Sequence, residues 1–348
     1  MVAGWFCRSI VMALAAMLSL VAGGCTLDMR IGTGSTAMQA TTLPEPTIEL
    51  RHPSRVVSAG LQISPLSLYP TLMVRTSDTA GRFILDTGGA GALIVTERFL
   101  KQAGGRRLAN TSTTINGTRY PLAVIPHLEI GDGLILRNAT CIISDLDQMR
   151  RVCGDIAIDG VLTVGLLQGL ELDIDLPNRV AHFRPAHLRE QVAGAVELSR
   201  PASHAADPRP YAIVRVNGVN VPTLLDTGNY AAIDIPRSLF EPLGVALSQP
   251  RDSFGAAGFN SRPAVTQRGT LETIDLGDIA LRDAEVHVIP HDEVTEAVIG
   301  IAVLQHYRII YNTHTRTTLL IGAKELTAPA PSPQVVQLVE TICRERLR

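Results

Sequence analysis

FILDTGG at 83–89 and TLLDTGN at 223–229 decide how this chain is read. Each is an apolar run ending in Asp-Thr-Gly, and the second begins 140 residues after the first. A second pair of blocks follows in the same order: GVLTVGLLQGLELDIDLPNRVAHF (160–183) and AVIGIAVLQHYRIIYNTHTRTTLLI (297–321). Setting Leu167-Gln168 on Leu304-Gln305 aligns them at an offset of 137. Two offsets agreeing within three residues are hard to produce by chance, and such self-similarity marks a repeat architecture. The chain reads as a tandem duplication.

Both halves read as β. In YAIVRVNGVNVPTLLDTG, apolar residues alternate on either side of Asn217-Gly218, a strong hairpin signal. LYPTLMVRTSDTAGRFILDTG has the same layout with a longer turn at Ser77–Gly81. Short helices are expected at Thr96–Ala103 and Pro236–Leu243, just after each DTG loop. The expected division is a leader at 1–24, a tether at 25–46, a first lobe at 47–190, a linker at 191–210, a second lobe at 211–322 and a Pro-rich tail with a short helix at 323–348.

Composition fits that plan. The 348 residues suffice for one large or two medium domains, and 46% hydrophobic content with a net charge of −2 excludes disorder over most of the length. With 31 Lys+Arg against 33 Asp+Glu there is no basic footprint for nucleic acid. Aromatics at 4% argue against a carbohydrate-stacking protein.

Asp-Thr-Gly after an apolar strand makes physical sense as half of a carboxylate dyad. The strand delivers Asp86 or Asp226 to a semi-buried floor, and Gly88 or Gly228 lets the backbone turn sharply beneath it. The Thr87 and Thr227 hydroxyls can then bond across to the opposite loop. Two-fold symmetry would bring Asp86 and Asp226 together, and like charges about 3 Å apart share one proton over a wide pH range. Such a pair can activate a water with one carboxylate while the protonated partner polarises a carbonyl.

With ILDTG (84–88), LLDTG (224–228) and the later hydrophobic-hydrophobic-glycine element Val298-Ile299-Gly300, the sequence resembles the retropepsin/pepsin aspartic proteases, particularly bacterial retropepsin-like proteins with two repeats in one chain. The resemblance covers about 55–190 and 208–322. It implies an all-β, bilobal fold of two barrel-like lobes around a cleft for an extended peptide, needing no metal and no cofactor. It also implies a peptide or protein as the partner and a monomer with internal pseudo-two-fold symmetry. Family members close the cleft with a glycine-rich hairpin flap. SFGAAGFNSRPAV (253–265) is read as that flap, with Gly255 and Gly258 as hinges and Phe259 beside them. The alternative is a surface hairpin without a substrate role. In the first half, Tyr120 beyond the Asn116-Gly117 turn stands as a flap residue or as ordinary surface. Three residues depart from the family pattern. Gly89 and Asn229 replace the usual Ser, Thr or Ala after DTG, and Thr163 replaces the first-lobe glycine, which predicts a slightly rearranged first lobe.

The leader and cysteines set the compartment. Arg8 followed by the apolar run Ile10–Val21 is the length of a signal-peptide core, short for a membrane span. Ala22-Gly23-Gly24-Cys25 resembles a bacterial lipoprotein box, which would lipidate Cys25; an ordinary signal-peptidase site would leave that thiol unmodified. The first reading gives a periplasm-facing, outer-membrane lipoprotein held by its N-terminal lipid. Cys141 and Cys153 are either bridged in an oxidising periplasm or two buried free thiols. His287, His291 and Asp292 are read as solvated polar residues rather than metal ligands, and Asp173 with Asp175 as a solvated strand edge.

The functional expectation is an exported aspartic endopeptidase acting through Asp86 and Asp226 in the bacterial cell envelope. A second reading keeps the cleft but not the chemistry: a catalytically weak lipoprotein that binds peptides or stabilises an envelope complex. Gly89 and Thr163 favour it, and intact paired aspartates oppose it. A third is self-processing alone, with the linker near Ser199–Arg209 or the Pro-rich tail as substrate.

Overall fold

In the first half, the strands Pro70–Arg75 and Ala80–Asp86 pair antiparallel around a turn that Thr76 N–H closes on the Thr79 carbonyl at 2.8 Å. Phe83, Ile84 and Leu85 are all fully buried, so this strand has no solvent face and reads as a continuous apolar run. In the second half, Tyr211–Val216 and Val219–Leu225 form the matching hairpin. Its Asn217-Gly218 turn has φ of 47° and 81°, the left-handed pair that a two-residue hairpin loop needs. The computed structural model describes residues 46–115, 118–188, 192–243, 251–254, 263–289, 296–327 and 333–346.

Each DTG-bearing strand also carries a parallel neighbour from much later in its half. Gly160–Thr163 runs beside Ala80–Asp86 with Leu162 opposite Leu85, and Ala297–Ile299 runs beside Val219–Leu225 with Ile299 opposite Leu225. These crossings belong to a nine-stranded sheet in the first half and an eight-stranded sheet in the second. A third, six-stranded sheet takes strands from both halves, joined at its centre where Leu170–Asp175 pairs antiparallel with Arg308–Asn312. The fold is all-β and bilobal, of the pepsin/retropepsin kind. Helices Glu97–Gln102 and Arg237–Leu243 follow the two DTG loops, the first capped by the Thr96 hydroxyl on Phe99 N–H.

The shared sheet corrects one reading. Asp173 is not a solvated edge residue but fully buried, accepting Arg184 Nη2 at 2.6 Å and Arg308 through Nε at 2.7 Å and Nη2 at 2.6 Å. Its strand is covered on both faces, so alternation along it does not separate inside from outside. Arg308 reaches Asp173 from the other half, so this buried ion cluster is also a lobe-to-lobe tie.

Of the two readings of Cys141 and Cys153, the structure takes the second: both thiols are free and buried. Cys141 is held within the strand Leu134–Ile143, opposite Ala123 and Leu93, while Cys153 caps the helix Asp147–Val152 and turns its Sγ to Ser67 Oγ at 3.7 Å. Burial pushes the Cys141 thiol up to about 12 and raises that of Cys153, which disfavours the thiolates that oxidation requires.

Candidate active site

Both DTG loops stand at the ends of buried strands and meet across the lobe boundary. Thr87 Oγ1 donates to the Leu225 carbonyl at 2.7 Å and accepts Thr227 N–H at 3.0 Å. Reciprocally, Thr227 Oγ1 donates to the Leu85 carbonyl at 2.6 Å and accepts Thr87 N–H at 3.1 Å. Both threonines are essentially inaccessible, so four buried hydrogen bonds clamp one loop to the other.

The glycines are required by proximity. A Cβ on Gly88 would stand 2.2 Å from Asp226 Cγ, and one on Gly228 would stand 2.7 Å from Asp86 Cγ. Each loop thus makes room for the carboxyl of the other. A Cβ on Gly228 would also lie 3.2 Å from Asp226 Oδ1, so both carboxyls border the same small space. Asp86 Oδ1 accepts two backbone N–H groups, Gly88 at 2.7 Å and Gly89 at 3.1 Å. Among the described residues, Asp226 Oδ1 accepts one backbone N–H, that of Gly228 at 2.7 Å.

That difference orders the pair. Burial pushes Asp86 up, and the hydrogen bonds from Asp226, Gly88 and Gly89 pull it back. Burial pushes Asp226 well above the ordinary carboxylate range, and the neighbouring Asp86 charge pushes it further. The extra backbone donor at Asp86 favours the anion there and a shared proton on Asp226. The arrangement can hold a water between an anionic acceptor and a neutral acid donor.

The two sequence departures fit one another. Gly89 faces Thr163: a Cβ there would meet Thr163 Cγ2 at 2.4 Å. In the second lobe the sizes are exchanged, with Asn229 in place of Gly89 and Gly300 in place of Thr163. A Cβ on Gly300 would lie 2.3 Å from the Ala231 carbonyl oxygen and 2.6 Å from that of Asn229. The first lobe is rearranged only slightly: Gly165 N–H bonds the Gly89 carbonyl at 3.1 Å, whereas Ile301 N–H bonds that of Asn229 at 2.7 Å.

Several neighbours of the dyad were not singled out in the sequence. Leu225 N–H bonds the Pro210 carbonyl at 3.0 Å, continuing the hairpin register, which places Arg209 one residue beyond the hydrogen bond that precedes Asp226. The same count in the first lobe sets Tyr69 across from Asp86. Tyr69 is buried, and burial raises its phenol far above the usual range, with Cys153, Tyr230, Asp226 and Asp86 adding to the rise. Behind Asn229 runs a polar chain. Asn229 Nδ2 donates to Asp234 Oδ2 at 2.6 Å, His287 Nδ1 lies 3.6 Å from Asp234 Oδ1, and His287 Nε2 lies 3.1 Å from Glu285 Oε1. His287 is thus buried rather than solvated. Counting hairpin partners back from each DTG would have found Arg209 and Tyr69; the Asp234–His287 pairing joins strands far apart in sequence and left no local signal.

Tyr120 packs with the small cluster of Leu108, Leu122, Val124 and Ile142. Gly255, Gly258 and Phe259 lie outside the described residues, as do Cys25, His291 and Asp292. Among the described residues, no three His, Cys, Asp or Glu side chains gather to hold a metal ion.

No curated protein matches the chain. Residues 212–306, the stretch that holds Asp226 and Val298–Gly300, match the family model described as gag-polyprotein putative aspartyl protease, so the second lobe carries an aspartyl-protease-like domain.

Proposed function

We propose that the chain is an aspartic endopeptidase whose active site is assembled from Asp86 and Asp226. The observation that carries the reading is the pair of half-buried carboxyls brought together by two loops that clamp each other. Two like charges in that position are costly unless one proton is shared, and a shared proton is what the chemistry uses. Asp86 takes a proton from a water as its oxygen attacks the scissile carbonyl carbon, and Asp226 gives its proton to the carbonyl oxygen. Collapse of the tetrahedral intermediate breaks the C–N bond, with Asp86 returning its proton to the leaving nitrogen and the diol returning one to Asp226. The match of Gly89 to Thr163 in size supports an intact first loop.

The cellular side of the proposal rests on the leader: export through residues 1–24, lipidation at Cys25 and action in the bacterial envelope. Among the described residues no helix is long and apolar enough to cross a membrane.

The test is the chain from residue 26 onward against a peptide library between about pH 3 and 8, beside Asp86→Asn and Asp226→Asn. Cleavage lost with either substitution is expected, by about 10³-fold or more. Cleavage that persists in both, or peptide binding without any cleavage by the wild type, would overturn the assignment. For the anchor, Cys25→Ser is expected to move the protein from the membrane to the soluble fraction, and unchanged fractionation contradicts lipidation.

A further inference from the structure

The segment joining the lobes is a buried cluster of charge and aromatic rings rather than a plain tether. Arg209 is 6% exposed and makes a two-pronged pair with Asp207, Nε to Oδ1 at 2.9 Å and Nη2 to Oδ2 at 2.6 Å. Its guanidinium carbon lies 5.2 Å from the centre of the Tyr211 ring, whose other neighbours include His204, stacked at 4.1 Å. Arg200 fixes the backbone of the segment by donating to the carbonyls of His204, Asp207 and Arg209, and Tyr311 OH donates to that of Pro208 at 2.6 Å. All this holds one cation in one place, in the residue next to Pro210, whose carbonyl accepts Leu225 N–H at 3.0 Å just before Asp226.

A dyad sharing one proton carries one negative charge in a half-buried site, an arrangement that desolvation opposes. Building on the peptidase reading, we propose that Arg209 is a positioning residue whose fixed guanidinium sustains the singly charged state of the Asp86–Asp226 pair, with Asp207 opposing its field. Geometry gives the cation its place, and its charge lowers both aspartates against the upward push of burial. The first lobe offers a neutral phenol, Tyr69, at the matching position, so this support comes from one side only.

Other groups share the surroundings of Arg209: Arg200 and His204 in the same segment, Tyr211 on the following strand, Glu296 ahead of the strand Ala297–Ile299, and Tyr311 in the shared sheet. Tyr211 OH donates to Glu296 Oε1 at 3.3 Å. Burial lowers His204 from its ordinary value, Glu296 and Asp207 oppose that, and Arg209 and Arg200 reinforce it. Tyr69 and Tyr230 are the phenols near the dyad.

The test compares Arg209→Gln and Asp207→Asn in the full chain, following kcat/KM for a cleaved peptide against pH and, independently of activity, the carboxyl carbons of Asp86 and Asp226 by NMR titration. Removing the cation makes the first ionisation harder, so the acid limb and the dyad titration move up by about one pH unit. Removing Asp207 strengthens the cation, so both move down. Opposite shifts are the signature, since a merely structural role would weaken both variants in the same direction. If Arg209→Gln fails to fold, Arg209→Lys, which keeps the charge, must retain the wild-type titration while Asp207→Asn still moves it down. His204→Gln must leave the sign of each shift unchanged. Unshifted limbs and titration in both variants, or shifts of the same sign, overturn the proposal. A chain without peptidase activity whose dyad still shows opposite shifts would instead refute the peptidase reading and keep the role of Arg209.

Discussion

The two DTG loops share one frame and differ in what surrounds it. Each aspartate ends an apolar strand, each threonine clamps the opposite loop, and each glycine clears space for the facing carboxyl. Around that frame the first lobe packs Gly89 under Thr163 and sets Ile94 beside Ile142, an apolar pair. At the corresponding places the second lobe has Asn229 and Gly300, and the buried pair Asp234 and His287. The comparison teaches that the geometry of the carboxyls is held symmetric while their electrostatics are made unequal. Asp86 gains its second N–H donor from Gly89, whose counterpart Asn229 turns its own N–H to the Asp226 carbonyl at 3.3 Å.

Exchanging the residues between lobes should break this most severely. Gly300→Thr forces a side chain against two carbonyl oxygens and is expected to cost about 3 kcal/mol or more in urea unfolding. Gly89→Asn is expected to cost about 2 kcal/mol, of which Thr163→Gly in the same chain recovers a large part. Strictly additive losses would show that the sizes of residues 89 and 163 are not matched.

Making the second lobe apolar like the first sharpens the comparison. His287→Leu alone leaves the Asp234 carboxylate buried with only Asn229 beside it, a loss of about 3 kcal/mol. The double variant Asp234→Leu/His287→Leu is expected to be less damaged than His287→Leu alone, because no buried carboxyl is then left without the imidazole. A double variant weaker than the single one would contradict this.

A smaller effect, of opposite sign, is expected at the dyad. Asp226 has a raised folded-state value, so its contribution to stability is fully present below the ordinary carboxylate range and is lost as pH rises through the raised value. Asp226→Asn should therefore be more stable than the wild type near pH 7, with the advantage vanishing toward pH 3. Equal melting temperatures across that range would contradict the burial of a shared proton.

Much of this was legible in the sequence because its causes are local. Asn217-Gly218 specifies its own turn, Phe83–Leu85 advertises a strand without a solvent face, and the offset of Val161-Leu162-Thr163 from Val298-Ile299-Gly300 exposes the parallel neighbours. What stayed hidden depends on packing between distant strands. Asp173 alternates like an edge residue, yet Arg308 arrives from the other half to bury it. Cys141 and Cys153 are close in sequence, but a paired strand and a helix end hold their thiols in different surroundings. Gly89 and Thr163 look like two losses until they are seen to touch.

The most direct test of the central claim, one proton-sharing pair built from two lobes, is kcat/KM for a cleaved peptide in Asp86→Asn, Asp226→Asn and the double variant. Residues acting as a unit do not add: each single substitution is predicted to cost about 10³-fold or more, and the double variant to lose little beyond that. A single variant within about tenfold of wild type, or losses that multiply in the double variant, would contradict the claim.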